Sequence, residues 1–233
     1  MSAWNPLVSV VIAVRNGARF LAQAIESVHA QTYSRLEVVV VDGASTDGSA
    51  WIAASYPGVR CIQQAGATGF AGAWNEGIAA SEGDLVAILD SDDLWEPEKL
   101  ERQVDVLRTR PEVDYVIAEV EFLAEPGVAM PAGFDPELLG SAHVANMPSA
   151  LLIRREAFEK VGEFRTDLTI ANDIDWFARA KDLPLTSHVV PEVLLYKRVH
   201  DANLSYGAAE MLSRELPDLL RRSVRRRREG RGE

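Results

Sequence analysis

The chain has 233 residues, 47% of them hydrophobic, and a formal net charge of -11. That length and apolar share allow one sizeable buried core and exclude disorder as the default state. The single cysteine, Cys61, excludes a disulfide framework, and the acidic balance argues against nucleic-acid binding, which needs a basic face to neutralise phosphates.

Charge is segregated along the chain. Residues 221–233 carry seven Arg and two Glu, a net +5, which leaves -16 on the rest. No apolar run reaches the length of a membrane span, and MSAWNPLVSVVIAV shows neither the basic leader nor the cleavage signal of an export peptide. A soluble, cytoplasmic protein is the expectation, with the arginine tail as a candidate for peripheral contact with an anionic membrane or for a solvated, disordered end.

Taken in order, the first half alternates strands and helices. Leu7–Val14 reads as a strand, FLAQAIESVHAQ as a helix, Leu36–Asp42 as a strand, SAWIAASY as a helix and VRCIQ as a strand. A helical GFAGAWNEGIAAS, a strand at Asp84–Asp90 and a helix opening at Pro97 follow. Unbroken runs of Val and Ile indicate strands covered on both faces, hence an α/β fold with a mainly parallel central sheet flanked by helices. YVIAEVEFL and SALLIR continue as strands, whereas Ala124–Pro148, rich in Pro, Gly and Ala, reads as a long functional loop. RREAFEKV is a helix closed by Gly162, a helix opens near Asp173, and the chain ends in an amphipathic helix, interrupted at Pro217, that runs into the arginine tail. With no internal repeat, one domain over residues 1–220 and a disordered tail over 221–233 are expected.

In parallel α/β sheets ligands bind beyond the carboxyl ends of the strands. Three such ends are polar here: Asn16-Gly17, Asp42-Gly43 with Ser45-Thr46-Asp47, and Asp90-Ser91-Asp92-Asp93. Three carboxylates within four residues repel one another unless a cation gathers them, and hard oxygen ligands suit Mg²⁺ or Mn²⁺. Asp92 is the candidate metal ligand. The bland alternatives are that the acidic turn caps the helix after Pro97 and that Ser45 or Asp47 is an ordinary N-cap.

The ordered set VSVVIAVRN, LEVVVVDGASTDGS, AGAWNEGIAASEGD, VAILDSDDLWEPEKLERQV and NDIDW resembles glycosyltransferase family two over roughly residues 6–205. The resemblance implies a GT-A fold, with a nucleotide-sugar-binding half at about 6–115 and an acceptor-side half at about 116–205. It implies a nucleoside-diphosphate sugar donor, inversion at the anomeric carbon and transfer of one sugar in glycan or glycoconjugate synthesis. Asp42 then contacts the base or ribose, Asp90 the ribose, and Asp92 the metal on the diphosphate, with Asn16 and Asn75 beside the donor. Asp173 is the expected base and Asp175 its substitute; His200, in Tyr196-Lys197-Arg198-Val199-His200, approaches the metal or diphosphate. Trp176, three residues after Asp173, shares its face, where an indole could stack on a sugar or equally anchor the helix to the core.

Some positions depart from the family's pattern. The first strand ends Ala13-Val14-Arg15-Asn16, without the usual aromatic, and Gly43 replaces the second carboxylate after the second strand, although uridine stays the expected base. Asn172 replaces an acid before Asp173, which should leave the base's pKa less raised. The alternative function is a catalytically weak nucleotide-sugar-binding protein of the same fold. The acceptor (saccharide, lipid-linked saccharide, peptide or small molecule) is not encoded in any motif.

Overall fold

Seven consecutive residues of β1 (Val8–Val14) are buried, because this strand lies inside the sheet with helices over both faces. The computed structural model describes residues 4–128, 130, 131, 133–203 and 209–231. The expectations that fall on Met1–Ala3 and on Gly232 and Glu233 lie outside the described residues. In chain order, α1 (Leu21–His29), β2 (Leu36–Asp42), α2 (Ser49–Ser55), β3 (Val59–Gln63), α3 (Gly69–Ala80) and β4 (Leu85–Asp90) follow β1. Then come β5 (Leu94–Trp95), α4 (Lys99–Thr109), β6 (Tyr115–Ala124), β7 (Ala142–Val144), β8 (Leu151–Arg154), α5 (Arg155–Val161), α6 (Asn172–Asp182), β9 (Ser187–Val199) and α7 (Ala209–Arg231).

The sheet order is β3-β2-β1-β4-β8-β6-β9-β5, with β7 paired to β6. The first four strands are parallel, so the ends of β1, β2 and β4 point the same way and deliver their polar residues to one rim. Beyond β4 the sheet is mixed: β8 is antiparallel to both β4 and β6, while β9 runs parallel to β6 and antiparallel to β5. Close seating of α3 depends on Gly77, where a Cβ would stand 2.4 Å from Val11 Cγ1. Gly162, at φ 84, ends α5 as expected.

β9 is the longest of the elements that sequence patterning missed, beside the short strands β5 and β7. Its register against β6 jumps from Ala118↔Val190 to Glu119↔Val193, leaving Pro191 and Glu192 without ladder partners. A proline in the run conceals the strand, which nevertheless carries Lys197 and Arg198 to the rim.

The loop over 124–148 is partly built: β7 pairs with β6, and Phe134 packs on Phe122 with ring centroids 5.9 Å apart. The tail expectation needs correcting, because α7 continues through Pro217 to Arg231. Pro217 and Ser213 are both exposed, so the carbonyl that loses its partner faces solvent and the helix survives. Arg226 and Arg227 are not free for a membrane surface; both bond Asp182 at the end of α6. Among the described residues no helix is long and apolar enough to cross a membrane.

Candidate active site

Two of the three polar strand ends are laced to each other. The Asn16 amide donates to Ser45 Oγ at 2.8 Å, and Thr46 N donates to Asn16 Oδ1 at 2.8 Å. Gly17 N reaches Ser49 Oγ and Ala18 N reaches Asp47 Oδ2. Asp47 also accepts from Ser49 N and Ser49 Oγ, but the N-cap of α2 is Gly48 with no side-chain cap, so Asp47 ties the loop to the start of the helix rather than capping it as the bland reading expected. Asn16, at φ 53, is thus a joint between the loops, its side-chain oxygen already taken. Asp42 is different. It is buried, its Oδ2 accepts from Ser45 N, and its Oδ1 has no hydrogen-bond partner among the described residues. An orphaned buried carboxylate oxygen is costly unless a ligand donor completes it.

The turn after β4 gathers Asp90, Asp92 and Asp93, each offering an oxygen within 4.8 Å of the others. Lys197 Nζ stands 3.3 Å from Asp90 Oδ2 and 3.2 Å from Asp93 Oδ2. Burial, and then the neighbouring carboxylates, push Asp90 and Asp93 up despite that ammonium. Burial works against the charge on Lys197, but the three aspartates prevail and hold its pKa well above the usual range. One cation therefore faces three carboxylates, an excess of negative charge that suits a divalent ion.

Asp92 Oδ2 is held by His200 Nε2 at 3.0 Å and Asn203 Nδ2 at 3.1 Å. His200 Nδ1 accepts from Ala202 N, which assigns the ring proton to Nε2 and makes His200 the donor to Asp92. Burial raises the Asp92 pKa, yet the His200 hydrogen bond together with the Lys197 and His200 charges outweighs it, and the carboxyl sits below its usual range. Asp92 is thus the member of the trio whose charged form the fold favours, which suits a metal-holding oxygen.

Arg198 braces this turn without offering itself to a ligand. Its Nε donates to Asp92 O, its Nη1 pairs with Glu125 and its Nη2 with Gln23, while the guanidinium lies 4.5 Å over Phe20. Trp95 Nε1 donates to Ser149 O, and Ser149 Oγ accepts from Asp90 N, so the turn is fastened from below as well.

Asp173 opens α6, and the Asp90 charge is felt at its carboxyl. Burial chiefly, with Asp90 adding to it, raises the Asp173 pKa to about 6. Asn172 adds no charge to that shift, which burial and Asp90 supply. Asn172 is itself buried and accepts from Asp173 N. Asp175 does not compete for the base role: it is 1% exposed and bonded to Arg179 Nε at 2.7 Å.

Two expected substrate contacts are corrected. Trp176 is 0% exposed, stacked against Phe158 and Phe164 and edge-on to Phe177, with its Nε1 on Gly162 O, so no face is open to a sugar. Trp176→Ala is expected to cost about 3–5 kcal/mol of stability through the cavity left behind; thermal unfolding will measure it. Asn75 spends both ends of its amide on Phe164, donating to its carbonyl at 2.8 Å and accepting from its N–H at 2.9 Å. It fixes the segment ahead of α6 rather than facing a donor. Sequence reasoning also overlooked Asn203, whose surroundings carry no motif, and underrated Lys197, which only the hidden strand β9 brings under the acidic turn.

With this geometry in view, the comparisons are decisive about class. The profile described as glycosyl transferase family 2 matches residues 9–162. An uncharacterized glycosyltransferase of Rickettsia typhi is 32% identical over 224 residues, covering 91% of this chain and 70% of its own. Among solved structures, S. aureus TarS 1-349 in complex with UDP-GlcNAc superposes at TM-score 0.71 with 20% identity over 87% of this chain. The mannosyltransferase PcManGT from Pyrobaculum calidifontis, in complex with GDP-Man and Mn2+, gives 0.68 with 23% identity over 95%. The chain spans 60% and 65% of those two solved chains. The fold is GT-A, and the protein is a transferase enzyme. The chain belongs to glycosyl transferase family 2.

Proposed function

We propose that the chain moves one sugar from a nucleoside-diphosphate sugar to an acceptor hydroxyl with inversion, using Asp173 as the general base. The observation that carries this reading is the placement of a carboxyl with a pKa of about 6 beside an acidic turn whose Asp92 is held ionised. The acceptor oxygen attacks the anomeric carbon as its proton passes to the Asp173 carboxylate, and the bond to the diphosphate oxygen breaks with its electron pair. The donor set fits a hard divalent cation, Mn²⁺ or Mg²⁺, held by Asp92 with His200 and the other aspartates beside it; when bound it neutralises the departing diphosphate. Asp42, with its unpaired oxygen, is assigned to the nucleoside.

Uridine is the favoured base, supported by the UDP-GlcNAc complex of TarS, while the GDP-Man complex of PcManGT makes guanosine the comparison to run. The test is calorimetric titration of UDP-GlcNAc, UDP-glucose and GDP-mannose, with Mn²⁺ and with chelator, into wild type and Asp92→Ala. Binding that needs Mn²⁺ and is lost in Asp92→Ala is expected. Equal binding in chelator, or an unaffected variant, would remove Asp92 from the metal.

A further inference from the structure

Helix α6 carries Asp173 in its first turn but has no side-chain cap of its own; the residue at its N-cap is Ala171. The missing acceptor comes from α7. Thr169, Ile170 and Ala171 donate their backbone N–H groups to the one carboxylate of Glu215, at 2.7, 3.2 and 2.9 Å. Burial alone would raise the Glu215 pKa, but these three bonds hold it below its usual range, so the acceptor is a carboxylate.

The far end of α6 is fastened to the same helix. Asp182 accepts from Ser223 Oγ, Arg226 Nε and Arg227 Nε at 3.2, 2.9 and 2.7 Å. Eleven residues separate Ala171 from Asp182, and eleven separate Glu215 from Arg226. At about 1.5 Å per residue the two fastenings are matched over roughly 16 Å, so the helices lie parallel and in register. Leu219 of α7, in the stretch between these two fastenings, is 5% exposed.

We propose that α7 is a splint that sets the position of α6, with Glu215 as the positioning residue for Asp173. This rests on the assignment of Asp173 as base. Among the described residues, the other side-chain ties of the connection from α5 to α6 lie in its first half: Arg179 takes the carbonyls of Val161 and Glu163, Trp176 takes that of Gly162, Asn75 takes Phe164, and Arg165 pairs with Asp175 of α6 at 3.7 Å. Its last three residues, which aim the first turn of α6, depend on Glu215. The family profile ends at residue 162, so the splint lies wholly beyond it.

The experiment uses the full chain with UDP-GlcNAc or GDP-mannose and Mn²⁺, following nucleoside diphosphate released by water, which needs no acceptor. In Glu215→Gln, donor Kd and KM should stay at wild-type values while turnover falls about 10- to 100-fold, the scale of a misplaced catalytic group. Hydrogen exchange at the 169–171 amides should quicken by about tenfold or more, with the sheet amides unchanged. Arg226→Gln with Arg227→Gln loosens the far end without touching the first turn of α6, and should lower turnover in the same sense but less. Unchanged turnover in a folded Glu215→Gln protein, or exchange that rises equally across the sheet, overturns the splint. Asp173→Asn in the same assay separates the two ideas: if it turns over like wild type, the base assignment falls, whereas the exchange result still reports on α7.

Discussion

Asp173→Asn is expected to lower turnover by about 10²–10⁴-fold, the usual contribution of a positioned general base, while leaving Mn²⁺-dependent donor binding intact. The amide keeps the size of the side chain but cannot take the acceptor's proton. Single-turnover kinetics with a bound donor will separate this from a binding defect. In the wild type the same carboxyl sets an acid limb: with a pKa of about 6, turnover at pH 5 should be about tenfold below its plateau, and the limb should vanish from the variant's residual rate. The stability sign runs opposite to activity. Because the folded pKa lies above the unfolded value of 3.8, ionising Asp173 costs the fold above pH 6, and that cost fades as pH falls towards 3.8. Asp173→Asn should therefore melt higher than wild type at pH 8, with the advantage gone near pH 4.

Lys197→Met should cost about 3–5 kcal/mol of stability, because it removes one partner of a buried ion cluster and leaves the others uncompensated. Asp93 is 0% exposed and Lys197 13%, so water cannot take the ammonium's place. The cation that the carboxylates lose can be returned from outside. Mn²⁺ should raise the melting temperature of Lys197→Met by more than it raises that of wild type, through linkage to the folded state. A variant that melts like wild type, or one that Mn²⁺ fails to rescue preferentially, would mean that Lys197 is not what balances Asp90 and Asp93.

The parallel half of the fold was legible because its strands are written as unbroken apolar runs, and a run such as Leu36–Asp42 has the same boundaries in sequence and in structure. The acidic turn was legible for a related reason: three carboxylates at a strand's end have few purposes. What stayed hidden lies where distant segments meet. Trp176 has the spacing of a residue facing the sugar, yet Phe158 and Phe164 close over it, and helical periodicity cannot tell a core face from a site face. Asn75 fits the family's pattern but spends its amide on a backbone 89 residues away. Pro191 masked β9, and with it the route by which Lys197 reaches Asp93. The arginine-rich end looked solvated because composition alone cannot foresee that Asp182 waits for two of those side chains.

The ion cluster has a temporal side. Asp93 and Lys197 are 104 residues apart, and β9 is added to the sheet after every other strand has been made. At about 5–20 residues per second, a ribosome needs roughly 5–20 s between the two. For that interval the growing chain can pair β1 to β4, yet it lacks the Lys197 ammonium that pairs with Asp90 and Asp93. Free Mg²⁺ or Mn²⁺ in the surrounding fluid is the natural counterion during the wait, so the ion proposed for the finished enzyme would also act as an assembly aid.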